Sequence, residues 1–160
     1  MIIKKPTKKD IKEIAKLMLE EFRKSPFNEK AHLNAVLKSL NFYFRIGRVY
    51  VAIDKKEIVG VIVFKIEQYW EGHVIIVEDL AVKESYKKQG IGKNLIAKVE
   101  DYAKKNSIKR ILFKTHKESP SIKFYKKFGY KQNKNVIDFE KKISNKNRSF
   151  SASYLLKVGS

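Results

Sequence analysis

The amino-acid sequence predicts an α/β fold, with helices laid over a mixed sheet. Three observations carry that expectation. Residues 74–102, VIIVEDLAVKESYKKQGIGKNLIAKVEDY, pass from a β-branched apolar run, through a basic loop with two glycines, to apolar residues at helical spacing. Residues 49–66 read as two apolar strands joined by a short charged turn, a hairpin. Ahead of them lie two stretches with helical stripes, so the element order is β-α-α-β-β-β-α-β-α-β-β.

In chain order, Ile2 and Ile3 make a short first strand. Thr7 and Asp10, three residues apart, read as cap and acidic partner of a first helix over 8–23, with Ile11, Ile14, Ala15, Met18 and Phe22 as its stripe. Ser25 and Pro26 punctuate it. A second helix over 28–42, capped by Asn28, carries Ala31, Val36, Leu37 and Leu40. After Gly47, Val49, Val51 and Ile53 alternate with Tyr50 and Ala52 in a second strand, and a third runs over 58–66. The fourth strand opens at 74–77 and continues through Leu80 and Val82. Leu95, Ile96, Val99 and Tyr102 mark a third helix over 94–102. A fifth strand follows at 111–113. The fourth helix opens at Glu118 or Ser119, tolerates Pro120 in its first turn, and closes at Gly129. A sixth strand starts over 130–132. Val136, Ile137 and Phe139 form a broken strand, and 150–158 a seventh.

A chain of 160 residues, 43% apolar and without an internal repeat or linker, suits one domain spanning 1–160. The absence of cysteine excludes a disulfide framework and thiolate catalysis, and three scattered histidines give no metal site. The N-terminal segment MIIKKPTKKD lacks the apolar core of a secretory signal, and no run approaches membrane-spanning length; the expected location is cytoplasmic. Thirty-six basic against 17 acidic residues give a formal charge of +19. Such charge attracts polyanions: nucleic acid, a ribosome, or a phosphorylated cofactor. The lysines are dispersed from Lys4 to Lys157, which also suits a merely solvated surface.

Gly90 and Gly92 allow a tight turn, and the first N–H groups of the following helix have no intrahelical acceptors. The loop is therefore either a backbone cradle for phosphate or a plain strand-to-helix turn. It is neither a dinucleotide fingerprint nor a Walker loop, since the glycine spacing fits neither. Tyr125 sits among Phe124 and Phe128 on a helix and reads as packing or as a proton donor. Glu78 is a strand carboxylate satisfied by a lysine, or a base. In a regular strand Asp79 faces the other way, unless a bulge intervenes. His73 and His116 are further proton carriers by residue type, and His32 reads as structural or solvent-facing.

The chain resembles the GCN5-related N-acetyltransferase (GNAT) superfamily. Lys87-Lys88-Gln89-Gly90-Ile91-Gly92 is similar to that family's [Q/R]-x-x-G-x-[G/A] loop. Glu78-Asp79-Leu80-Ala81-Val82 resembles its fourth strand, and residues 121–130, SIKFYKKFGY, its A-I-x-F-Y-x-K-x-G-F segment. Lys87, Glu118 and Ser121 depart from the residues most frequent at their places. The resemblance implies a three-layer fold, a mostly antiparallel sheet of about seven strands flanked by about four helices.

It also implies an enzyme that passes the acetyl group of acetyl-CoA directly to an amine. Lys87, Lys88, Gln89, Gly90, Ile91, Gly92 and Lys93 would form the cofactor-binding loop, with the backbone N–H groups from Gln89 through Lys93 holding the pyrophosphate, and the exposed backbone of Leu80, Ala81 and Val82 would align the pantetheine arm. The Val82 N–H would face the developing oxyanion. Tyr125 would protonate the leaving thiolate, and Glu78 would relieve the amine of its proton. Tyr69, Trp70, Glu78 and Asp79 are the acceptor-binding candidates. The segment EDLAV is similar to diamine and polyamine acetyltransferases, which favours a small, polyamine-like acceptor. A protein N-terminal or lysine acetyltransferase and a non-catalytic nucleic-acid-binding domain are the alternatives, and a homodimer is compatible with the sequence.

Overall fold

A computed structural model describes residues 1–137 and 139–141. Strand β1 (Ile2–Lys4) leads through a single 3-10 turn (Lys8–Asp10) into α1 (Ile11–Phe22) and then α2 (Leu33–Ile46). Strands β2 (Arg48–Asp54), β3 (Glu57–Tyr69) and β4 (Gly72–Val82) follow, then a 3-10 turn (Glu84–Tyr86), α3 (Ile91–Lys105), β5 (Arg110–Phe113) and α4 (Ser121–Lys127). The five strands lie in sequence order in one sheet, antiparallel except for the β4–β5 pair. The four helices and the mixed, mostly antiparallel sheet agree with the expected class.

Among the described residues there are five strands, where about seven were expected of the whole chain. Residues 130–132 and Val136 and Ile137 join no strand. Their short apolar groups find no ladder to complete, and Val136, Ile137 and Phe139 are exposed. Residues 150–158 lie outside the described residues. The second helix begins at Leu33 rather than Asn28, because Asn28 adopts a left-handed φ of 50° that cannot start a helix. At α1, Asp10 Oδ2 accepts the Thr7 N–H at 2.6 Å, so the capping pair reads as the sequence implied.

Two apolar cores sandwich the sheet. On one face Ile14, Leu17 and Leu40 of α1 and α2 meet Val51, Val61, Val63 and Ala81. On the other, Leu95, Ile96, Val99 and Ala103 of α3 meet Ile62, Phe64 and Ile75. Because β3 is covered on both faces, residues 58–64 are buried without alternation, as an interior strand requires. Each such large side chain contributes about 1.5–3 kcal/mol by leaving water.

Gly60 sets how close α3 comes. A Cβ there would stand 3.0 Å from Ile91 Cγ2 and 3.1 Å from Leu95 Cδ1, closer than side chains normally pack. Gly60 pairs with Val82, so this contact seats the first turn of α3 beside the end of β4.

Candidate active site

The sheet comes apart between its last two strands. Strand β4 is paired with β3 along its length, but β5 pairs only with Val74, Ile75, Ile76 and Val77. Over 78–82 the other edge of β4 has no strand partner among the described residues. The seam opens at a bulge: Val63 pairs with Asp79 and Phe64 with Val77, which leaves Glu78 with no residue opposite.

That bulge changes what the two acidic residues can do. Asp79 shares the face of Val63 and Ala81, toward α1 and α2. Glu78 turns to the same side, its Oε1 2.8 Å from Lys65 Nζ, and Lys65 also holds Glu67 at 2.8 Å. The regular alternation that would separate Glu78 from Asp79 is thus overturned, and both carboxylates bear on Tyr43 of α2. Burial, with the Glu78 charge behind it, pushes the Tyr43 phenol up. The two carboxylates together hold Lys65 far above an ordinary ammonium. Burial pushes Asp79 up to about 6, helped by the charges of Glu78 and Glu29. No hydrogen bond or ion pair engages Asp79 among the described residues.

Beyond β4 the loop is built as an open nest. Lys88 has φ 61° and Gly90 φ 81°, two left-handed residues around Gln89, whose Nε2 is tied to the Ser85 carbonyl at 3.1 Å. Asn94 is the first residue whose N–H finds a backbone acceptor, Gly90 O at 3.0 Å. The N–H groups of Lys88, Gln89, Gly90, Ile91, Gly92 and Lys93 donate to no acceptor among the described residues. A Cβ on Gly90 would meet nothing within 4 Å. Successive free amides at a helix start, with open space before them, suit a phosphate.

Lys87 stands apart from this nest. Its N–H is taken by Glu84 O at 3.1 Å, and its ammonium lies 2.5 Å from Glu84 Oε2 and 2.8 Å from Glu21 Oε2. The expectation that Lys87 is one of the cofactor-binding residues is therefore corrected: its N–H and its ammonium are both engaged within the protein, and the lysine is a strut. Glu21, on α1, is the anchor. Its side chain is 5% exposed, and Oε1 accepts Lys24 at 2.6 Å and the Glu84 N–H at 3.1 Å. Burial pushes the Glu21 carboxyl up, but the hydrogen bonds and charges of Lys24 and Lys87 outweigh it and leave it below its usual range.

The far wall of the seam is β5 and α4. The Tyr125 ring lies 4.1 Å from that of Phe113, the last residue paired across to β4. Burial pushes its phenol up, with the Ser121 hydroxyl pulling the other way, so at neutral pH the proton stays on oxygen. Ser121 also meets Ser119 Oγ at 2.7 Å and Thr115 Oγ1 at 3.3 Å. Phe124 reaches toward α3: its Cζ is 3.5 Å from where a Gly92 Cβ would stand, and Val82 Cγ2 is 4.0 Å from the same point. The last turn of β4, the nest and α4 therefore converge. His116 is met by Phe27, ring centroids 6.5 Å apart, so the loop after α1 also reaches this side. The His116 Nδ1 accepts the Glu118 N–H at 3.2 Å, which leaves the proton of a neutral ring on Nε2.

Leu80, Ala81 and Val82 present their backbone at the seam while their side chains serve the two cores. Tyr69 and Trp70 fall elsewhere. They sit at the β3–β4 turn, at the opposite end of β4 from the nest, where Arg110 lies over the Tyr69 ring and Trp70 is fully exposed. Eight residues of extended chain separate Trp70 from Glu78, roughly 25 Å. The turn's position removes them from the mouth beside Glu78 and Asp79. His73 is exposed at that same far end, and His32 precedes α2. Two open hollows of about 460 and 340 Å³, one beside Lys16, Leu19 and Leu33 and one beside Ile3 and Ala97, lie away from the seam.

A family model described as "Acetyltransferase (GNAT) family" matches residues 11–130. The chain belongs to this family, and it is an enzyme whose acetyl donor is acetyl-CoA. Solved structures share the fold at low identity. A probable acetyltransferase aligns with a TM-score of 0.77 and 18% identity over 91% of this chain and 99% of its own. The aminoglycoside 6'-N-acetyltransferase of Acinetobacter haemolyticus gives 0.74 and 18%, covering 90% and 100%. An aminoglycoside N-acetyltransferase in complex with CoA gives 0.75 and 18%, covering 89% and 95%. No curated protein sequence matches significantly.

Proposed function

We propose that the chain acts as one acetyltransferase domain that acetylates a primary amine of a small, polycationic molecule by direct attack. The observation that carries this reading is the seam. It unites an unpaired strand edge and a free-amide nest with two carboxylates on one face.

Acetyl-CoA supplies a thioester carbonyl that an amine attacks with loss of the thiol. In our reading the amides of residues 88–93 hold the pyrophosphate, and the positive loop adds a favourable field. The free edge of Leu80, Ala81 and Val82 takes the pantetheine arm as an added strand. The Val82 N–H polarises the thioester carbonyl. Tyr125 gives its proton to the departing sulfur, a role supported by its retained proton and its place on the seam's far wall. Glu78 and Asp79 attract the cationic acceptor.

Support for a small amine comes from that acidic face within a chain of net charge +19. Two of the similar structures are aminoglycoside acetyltransferases, whose substrates carry several amines, as polyamines do. The test is an acetyl-transfer screen by mass spectrometry with kanamycin, spermidine and N-terminal peptides. Mass gains confined to the small amines are expected. Transfer confined to peptides would overturn the acceptor class. Absence of acetyl-CoA binding, with salt-sensitive nucleic-acid binding, would overturn the reading as a whole.

A further inference from the structure

Two adjacent carboxylates stand at the seam, and their surroundings divide the work between them. Glu78 is already in use: Lys65 lies 2.8 Å from its Oε1. That ammonium holds the Glu78 side chain against β3. Asp79 has no cation beside it and no hydrogen-bond donor among the described residues. It is the second residue of the bulge, just past the last β4–β5 pair, and it faces α1 and α2. An incoming amine approaching β4 from that side meets Asp79 where β5 no longer covers the strand.

We propose that Asp79, and not Glu78, is the group that takes the proton from the acceptor's ammonium. This rests on the reading of the seam as an amine acetylation site. The step balances as follows. The Asp79 carboxylate accepts one proton from R–NH3+, giving R–NH2. The nitrogen lone pair forms the bond to the acetyl carbon while the carbon–sulfur bond breaks. The sulfur takes a proton from Tyr125, the nitrogen's second proton restores the phenol, and Asp79 returns its own proton to water.

The groups that face Asp79 agree with this role. Glu78 on β4 and Glu29 in the loop between α1 and α2 both add negative charge and make a proton welcome. Tyr43 on α2 stays neutral, and Lys65 on β3 is balanced by Glu67 and Glu78. Burial and these charges push Asp79 up to about 6, so it is ionised at neutral pH yet is a stronger base than an ordinary aspartate.

The pH dependence of kcat/KM with spermidine and kanamycin tests the assignment. For a carboxylate base acting on a charged amine, the rate rises through about pH 6 and levels off well below the amine's own pKa. Asp79→Asn is expected to lose about a hundredfold at pH 7 and to rise instead up to the amine's pKa, since only free amine then reacts. Glu78→Gln is expected to keep the rise but to move it below pH 6, because the Glu78 charge that helps raise Asp79 is gone. Survival of that rise in Asp79→Asn, or its loss in Glu78→Gln alone, overturns the proposal.

A second measurement does not depend on finding the acceptor. In protein labelled with 13C at aspartate side-chain carboxyls, a resonance absent from Asp79→Asn should titrate near pH 6. Titration of that resonance near pH 4 overturns the assignment even if no tested amine is acetylated. Failure of the amine screen, with that resonance still near 6 and acetyl-CoA bound, overturns the acceptor class and with it the base assignment.

Discussion

Replacing Glu21 by glutamine tests whether α1 holds the cofactor loop through one buried carboxylate. Glu21 is 5% exposed and binds Lys24, Lys87 and the Glu84 N–H. Removing one partner of a fully buried ion pair costs about 3–5 kcal/mol. Here Lys24 and Lys87 are 39% and 42% exposed and keep Glu84 nearby, so both can turn to water. A glutamine oxygen can still accept the Glu84 N–H. The loss is then closer to that of charge-assisted hydrogen bonds, about 2 kcal/mol. For a chain of this length that lowers Tm by roughly 4–8 °C.

The pH dependence has a definite sign. Glu21 is held below its usual range, so its contribution is complete above the ordinary value of 4.5 and fades as pH falls through the lower folded value. Thermal unfolding followed by circular dichroism at pH 7 and pH 3 should therefore show a large difference between parent and mutant at pH 7 and a smaller one at pH 3. A shift below 1 °C at pH 7, or an equal shift at both pH values, would refute the reasoning.

Gly90→Val should weaken acetyl-CoA binding at least tenfold by calorimetry, with a stability cost of about 1–2 kcal/mol. The space around a Cβ is open, so the cause is the left-handed φ alone. Gly60→Ala should push α3 off β3, costing about 1–3 kcal/mol in denaturant melts and loosening the cofactor site with it. Tyr125→Phe should reduce kcat about tenfold or more while leaving acetyl-CoA affinity near that of the parent. Because the Tyr125 phenol is raised, any activity loss it causes at alkaline pH should begin above pH 10 and vanish in the mutant.

Local features were the most readable from sequence. The stripe Leu95, Ile96, Val99 announces α3 by its spacing, and the glycines before it announce a turn, because both depend on neighbours within a few residues. The β2–β3 hairpin is readable for the same reason. The β4 bulge was not, since it depends on the register with β3 and leaves no mark in the order Glu78, Asp79, Leu80. Nor was Glu21: on α1 it resembles the exposed Glu20 beside it, and its partners Glu84 and Lys87 come more than 60 residues later. Tyr69 and Trp70 precede β4 closely in sequence, but a long strand carries its two ends far apart. The start of α2 shifted because Asn28, an adequate cap by type, was needed in a left-handed turn.

The parting of β4 from β5 has a consequence for how the protein coexists with copies of itself. A strand with a vacant row of amides and carbonyls is an invitation to any extended peptide, and it usually lies at a border where it can be guarded. Here the vacant row is the part of β4 that β5 leaves uncovered, only five residues long; it starts at a kink, and Lys88 follows it closely. Brevity, a bend and adjoining positive charge are the devices that discourage another chain from zipping on. The irregularity that opens the seam to a slender ligand thereby also makes it a poor template for aggregation.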